Sequence, residues 1–90
     1  ERKGGGGGER DRRRDRPRKM TYREKQEWEG IEAAITAAEE RAAGLQARVE
    51  EPEVAADPER LHRCCRELDR AQREVERLYA RWEELDALRR

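Results

Sequence analysis

The chain has 90 residues, of which 49% are charged and 33% apolar, and it contains no Phe. A chain this short and this charged can bury a narrow seam but not a sizeable core, which argues against an ordinary globular domain. It also lacks an apolar run near the length of a membrane span and a secretory signal pattern, so we expect a cytoplasmic protein without a membrane partner.

Charge is segregated along the chain although the total is zero. Residues 1–25 hold eleven Lys/Arg against five Asp/Glu, a net of +6. Residues 26–57 hold two against nine, a net of −7, and residues 58–90 hold nine against eight, a net of +1. The positive charge therefore collects at one end of the chain, where it can meet an anionic partner.

The composition of residues 1–19 predicts a disordered basic linker, because a run of five glycines precedes an arginine-rich tract. The chain begins inside this linker without Met, so we expect it to be a fragment of a larger protein. Two interpretations of the tract stay open. It is either a solvated linker kept soluble by Glu9, Asp11 and Asp15, or an arm that binds nucleic-acid phosphates. The candidate binding residues are Arg10, Arg12, Arg13, Arg14, Arg16, Arg18, Lys19, Arg23 and Lys25.

A first amphipathic helix is predicted at about 21–50. Thr21 followed by Glu24 matches a capping box, which marks a helix start. The apolar positions that follow alternate in spacings of three and four, as in the seam of a coiled coil. They are Trp28, Ile31, Ile35, Ala38, Ala42, Leu45 and Val49.

A turn at 51–57 and a second helix at about 58–88 complete the predicted hairpin. Pro52 and Pro58 disfavour helix in the residues before them, and Asp57 before Pro58 is an N-cap pattern. A second seam then begins in a different phase from the first. Its members are Leu61, Cys64, Leu68, Ala71, Val75, Leu78, Trp82 and Leu85. The predicted fold is all-α: a monomeric, two-helix antiparallel coiled-coil hairpin over 20–90.

The two seams also suggest a register and a set of surface ion pairs. The register places Trp28 against Leu85 at one end and Val49 against Cys64 at the other, with alanines in the middle. The ion pairs expected along the second helix are Glu59–Arg63, Arg63–Glu67, Asp69–Arg73 and Arg70–Glu74.

Little else in the sequence suggests chemistry. Cys64 is a seam position flanked by Cys65, and we interpret both as core or flank filling rather than as metal or redox groups. Trp28 and Trp82 are seam positions, so we interpret them as core residues rather than as platforms for bases. For Tyr22, stacking on a base and covering the end of the hairpin stay open. No nucleophile–base set or phosphate loop is present, so we expect no catalysis, metal or cofactor in this chain.

The segments Lys19-Met-Thr-Tyr-Arg-Glu24 and Arg81-Trp-Glu-Glu-Leu85, with the two seams between them, resemble the C-terminal coiled-coil domain of Uup-type ABC-F ATPases. The chain departs from the family pattern at Glu32, where proline is frequent, and at Trp28, where leucine is usual. The resemblance implies two upstream ATP-binding cassettes in the same chain, which would hold ATP and Mg²⁺. It also implies a cytoplasmic ATPase that acts on ribosomes or DNA, with a C-terminal domain associated with DNA binding.

Two hypotheses for function follow. In the first, the hairpin is a non-catalytic accessory domain whose basic arm contacts DNA, with RNA or the ribosome as alternative ligands. In the second, it is a structural or protein-interaction coiled coil that docks a partner without touching nucleic acid.

Overall fold

The computed structural model describes residues 19–89, and that part of the chain is helical with no strand. Helix α1 spans Tyr22–Val49, a one-turn helix α2 spans Pro52–Ala55, and helix α3 spans Pro58–Leu88. α1 and α3 pack along their lengths and α2 joins them at one end. The predicted all-α antiparallel hairpin is confirmed, whereas residues 1–18 of the predicted linker lie outside the described residues.

The start of α1 is fixed by the predicted capping box. The Glu24 amide donates to Thr21 Oγ1 at 3.2 Å, and the Thr21 amide donates to Glu24 Oε1 at 2.8 Å. Both amides would otherwise have no partner within the helix. The Glu24 side chain is buried. The cap therefore lies at the end of the hairpin where α1 begins and α3 ends.

The start of α3 follows the predicted Asp57–Pro58 pattern. The amides of Glu59 and Arg60 donate to Asp57 Oδ1 at 3.1 and 3.3 Å. Pro58 occupies the first turn, where its missing N–H costs no hydrogen bond. The cap therefore defines where the chain turns back.

The connection between the long helices contains a helix that the sequence did not predict. Pro52 opens α2, and the amides of Val54 and Ala55 donate to the Glu51 carbonyl at 3.0 and 2.8 Å. Val54 is only 1% exposed because α2 lays it over the end of the core. Pro52 disfavours helix in the residues before it, as expected, and α1 ends at Val49; the same proline occupies the first position of α2, where proline is favourable.

All the predicted seam residues are buried or half-buried. They form two clusters along the hairpin. The base cluster, at the end where α1 starts and α3 ends, contains Ile31, Ile35, Leu78 and Leu85, with Met20, Trp28, Ala38, Trp82 and Leu88 packed around them. The tip cluster, below α2, contains Leu45, Val54, Cys64 and Ala71, with Ala42, Val49, Leu61 and Leu68 packed around them. The membership of both clusters agrees with the predicted register.

The surface ion pairs agree less well with the prediction. Of the four predicted pairs, only Asp69–Arg73 lies within ion-pair distance, at 3.0 Å. Glu74 pairs with Arg77 at 2.6 Å instead of with Arg70. Exposed pairs on a helix are worth a fraction of a kcal/mol, so neighbouring partners compete on nearly equal terms.

Candidate nucleic-acid interface

The predicted phosphate-contacting residues divide into two groups. Arg10, Arg12, Arg13, Arg14, Arg16 and Arg18 lie outside the described residues. Lys19, Arg23 and Lys25 lie within them and all three are exposed. The described part of the candidate site is therefore the entry to α1 and its first turn.

Arg23 and Lys25 do not converge on one point. They are two positions apart in a helix, which separates their directions by roughly 200°. Arg23 lines a cleft at the base together with Glu27 and Arg81, on one side of the hairpin. Lys25 projects from the other side, so the two cations flank the base.

Tyr22 does not cover the end of the hairpin. It is 75% exposed, and its hydroxyl accepts a hydrogen bond from Gln26 Nε2 at 2.8 Å. Met20 packs against the base cluster instead. The interpretation that Tyr22 covers the end of the hairpin is therefore wrong. The sequence signal for this contact is Met20 itself, an apolar residue just before the N-cap Thr21. Side chains at that position often pack back onto the helix.

The tryptophans are core residues, as predicted. The Trp28 and Trp82 rings stack at a centroid distance of 5.8 Å and an angle of 28°. The Arg89 guanidinium lies over the Trp28 ring at 4.8 Å, a cation–π geometry. Because one tryptophan face is used by its neighbour and another by Arg89, these rings close the base rather than offer a platform for bases.

Arginines collect on one side of the hairpin, which we call the arginine face. In an antiparallel pair, the positions just before the first seam residue of each heptad lie on the same side of the hairpin, and the positions just before the second seam residue lie next to them on the helix surface. Shared clefts confirm the grouping: Arg41 and Arg70 line one, while Arg48, Arg60 and Arg63 line another. The arginine face comprises Arg41, Arg48, Arg60, Arg63, Arg70, Arg77 and Arg81.

The opposite side, which we call the acidic face, carries carboxylates. Glu32, Glu39 and Glu83 line one cleft, and Glu39 and Glu76 line the next. Across this face Tyr79 Oη donates to Glu39 at 2.7 Å, which raises the pKa of Tyr79 because the carboxylate favours the protonated phenol. Neither cleft is lined by a Lys or Arg.

Pairing on the arginine face changes along its length. At the base, Arg81 donates to both Glu27 oxygens at 2.8 Å and to Glu84 at 2.9 Å. These bonds lower the pKa of Glu27 and raise the pKa of Arg81, because each ion stabilises the other. Arg77 is paired with Glu74.

Towards the tip, within residues 19–89, the arginines of this face have no ion-pair partner. They are Arg41, Arg48, Arg60, Arg63 and Arg70. The sequence interpretation missed this set because it assigned Arg63 and Arg70 to intrahelical ion pairs. Plotting the arginines by heptad position would have placed them on one face.

The match to a known family decides what kind of domain this is. The family model for the ABC transporter C-terminal domain matches residues 19–87. The chain belongs to this family. The resemblance to Uup-type ABC-F C-terminal domains is thereby confirmed at the family level, and the hairpin is an accessory domain of an ABC protein. No curated protein and no solved structure matches the chain.

Other chemistry is sparse in the described part of this ABC transporter C-terminal domain. Cys64 is buried in the tip cluster and Cys65 is exposed, as predicted for core and flank positions, and neither forms a disulfide. Residues 19–89 contain no group of three potential metal ligands. None of the described helices is long and apolar enough to cross a membrane.

Proposed function

We propose that this domain is a non-catalytic, DNA-binding accessory domain of a cytoplasmic ABC-F ATPase. The side chains that contact backbone phosphates are Arg10, Arg12, Arg13, Arg14, Arg16, Arg18, Lys19, Arg23 and Lys25. ATP and Mg²⁺ bind in upstream cassettes of the same chain, and the hairpin itself needs no cofactor. The observation that supports this most directly is the pair of exposed cations in the first turn of α1, immediately after the basic tract.

Those cations do not serve the stability of the helix. The N-terminus of a helix carries a partial positive charge, so a cation there costs roughly 0.3–1 kcal/mol. Arg23 and Lys25 occupy this turn, and neither makes an ion pair within the described residues. A phosphate bound beside either side chain would be stabilised by the helix dipole and by that side chain.

The composition of the tract favours phosphates over base edges. Arginine presents a planar fork that binds phosphate through two parallel hydrogen bonds, whereas lysine is a point charge. No aromatic side chain lies among residues 9–19, and the tryptophans are used in the core. We therefore expect binding that depends on charge and shape, with counterion release as its main source of free energy.

The test compares duplex DNA, branched DNA and ribosomal RNA by fluorescence anisotropy across a salt series. In the arm variant Arg10, Arg12, Arg13, Arg14, Arg16 and Arg18 become Gln. Its DNA affinity should fall steeply and its salt slope should flatten, by about 0.9 for each phosphate that the arm no longer neutralises. A matched variant with Glu9→Gln, Asp11→Asn and Asp15→Asn should bind more tightly, because it removes only repulsive charges.

An arm variant that binds DNA as well as the wild type would refute the arm. Tighter binding of ribosomal RNA than of either DNA would reassign the ligand. The charge-removal variants leave the caps and the seam intact, so circular dichroism should show unchanged helicity in each.

The acidic face supports the second candidate function, a protein-docking coiled coil. Glu32, Glu39 and Glu83 line a cleft without a basic residue, so they suit a basic protein surface rather than a phosphate backbone. Absence of any nucleic-acid binding by the 90-residue chain at low salt would favour this alternative over DNA binding.

A further inference from the structure

At the tip of the hairpin, three arginines surround a small cavity. Arg48 from the end of α1 and Arg60 and Arg63 from the start of α3 line a space of about 110 Å³. That volume is several times what one water molecule requires. Val54 and Cys64 form its floor from the tip cluster, and Glu67 is the one carboxylate that lines it.

These three guanidinium groups have no anionic partner of their own. Within residues 19–89, none of them lies within ion-pair distance of a carboxylate, Glu67 included. The carboxylates of the turn, Glu50, Glu51 and Glu53, are likewise unpaired with them. Three neighbouring cations repel one another, and an anion placed between them would remove that cost.

Other arginines of the same face do have carboxylate partners. Arg77 and Arg81, on the same face but nearer the base, are both held by carboxylates. Among the seven residues of the arginine face, only those in the part nearer the tip therefore lack ion-pair partners within residues 19–89.

We propose that Arg48, Arg60 and Arg63 form a second contact for the sugar–phosphate backbone of a DNA duplex. The inference rests on the proposed function and extends it, because the hairpin then touches DNA at both ends instead of serving only as a support for the arm. The ligand chemistry is a phosphodiester seated between guanidinium forks on the arginine face.

The geometry of the hairpin sets the spacing between the two contacts. Arg23 and Arg48 are 25 positions apart on one continuous helix and share the arginine side of the hairpin, so they are separated by about 38 Å. At 3.4 Å per base pair, this equals roughly 11 base pairs, or about one turn of B-DNA. A backbone strand that contacts the base would therefore present the same face again near the tip.

This spacing makes the length of the duplex the decisive variable. A duplex of about 8 base pairs, roughly 27 Å long, reaches only one contact, whereas one of about 24 base pairs spans both. Affinities are compared as the ratio of variant to wild type on the same duplex, because longer DNA also offers more binding positions.

The test variant is R48Q/R63Q and the matched control is R66Q/R73Q, which removes the same charge from the outward surface of α3. On the 24-base-pair duplex, R48Q/R63Q should bind about tenfold more weakly, with a salt slope smaller by about 1.8. On the 8-base-pair duplex, it should bind within about twofold of the wild type, as should the control on both duplexes.

Equal losses of affinity for R48Q/R63Q and R66Q/R73Q on the long duplex would overturn the tip contact while leaving the arm in place. A loss for R48Q/R63Q of the same size on both duplexes would also overturn it. If the wild-type chain bound neither duplex at low salt, the proposed function itself would fail. R60Q/R63Q serves as the second variant if R48Q/R63Q loses helicity.

Discussion

The two halves of the hairpin are built differently. The base half, residues 19–40 and 73–89, packs a pair of stacked tryptophans and a fully buried Leu85, and polar bonds cross between its helices. The tip half, residues 41–72, packs smaller side chains, and within the described residues no side-chain hydrogen bond or ion pair crosses between its helices. The members of the arginine face in this half also lack ion-pair partners within the described residues.

We infer from this contrast that the base half supplies stability and the tip half supplies charged side chains for binding. Apolar area and cross-helix bonds at the base supply most of the free energy that holds the helices together. The tip is held by α2, the Asp57 cap and a modest core, which leaves its charged side chains available to a ligand. We therefore expect substitutions at the base to affect stability most, and substitutions of tip arginines to affect binding without affecting stability.

The largest stability effect is expected at Leu85, which is fully buried in the base cluster. Leu85→Ala should lower the free energy of unfolding by about 3 kcal/mol, because it removes buried methyl groups and leaves a cavity. Leu45→Ala, at an equivalent seam position in the tip half but 7% exposed, should cost less, about 2 kcal/mol. Urea unfolding followed by circular dichroism measures both, and a larger loss for Leu45→Ala would contradict the division.

Val54 should carry the next largest effect, because it joins α2 to the tip cluster. Val54→Ala should cost about 2 kcal/mol, since the deleted methyl groups are almost completely buried. Val49→Ala, at a half-buried position, is the control and should cost about half as much. Hydrogen exchange should show faster opening of the Ala55, Ala56 and Asp57 amides in Val54→Ala. Unchanged exchange there would mean that Val54 does not hold the turn.

The two N-caps should have smaller and similar effects. Asp57→Ala and Thr21→Ala each remove a side chain that accepts from backbone amides, a change that costs about 1 kcal/mol. Asp57→Asn, which retains a capping oxygen, should restore most of the stability. Thermal unfolding curves of the three variants measure these changes in stability. A loss of stability near zero for Asp57→Ala would show that Pro58 alone fixes the start of α3.

The smallest expected effect is on the pH dependence of the free energy of unfolding. Hydrogen bonding to Arg81 lowers the pKa of Glu27, so the stability that this carboxylate contributes is present above the ordinary glutamate pKa of about 4.3 and is lost as the pH falls through the lowered value. Glu27→Gln should therefore cost less than about 1 kcal/mol at neutral pH, since the pair is partly exposed.

The difference in unfolding free energy between wild type and Glu27→Gln should shrink on going from about pH 7 to about pH 3. Glu29→Gln, which alters an exposed carboxylate that has no ion pair within the described residues, is the control and should show no such trend. A constant difference across this range would mean that the Glu27–Arg81 pair does not contribute to the stability of the base.

Much of the fold was predictable because it depends on local rules. The three-and-four spacing located both seams, and Thr21, Asp57 and Pro58 marked the helix starts. The sequence does not predict the short helix α2, because Pro52 is interpreted only as disfavouring helix in the residues before it, whereas proline also suits the first position of a helix, as at Pro58. Its buried Val54 depends on tertiary packing that spacing alone does not encode.

The candidate site was less predictable. The position of the basic tract is visible in the sequence, but the choice of ion-pair partners is not, because competing exposed pairs differ by less than a kcal/mol. Glu74, for example, pairs with Arg77 rather than with Arg70, and Arg70 has no ion-pair partner among the described residues. The tip cavity depends on both long helices meeting at α2, so it appears only once the hairpin is assembled.

The position of the α1 start and the α3 end at the base also has a mechanical consequence. α3 is about 46 Å long, so the hairpin is a lever whose fulcrum is the aromatic cluster around Trp28 and Trp82. A rotation of that end by about ten degrees sweeps Arg60 and Arg63 through roughly 5–6 Å, more than one step along a DNA backbone. Small angular changes at the base thus become large displacements at the far end.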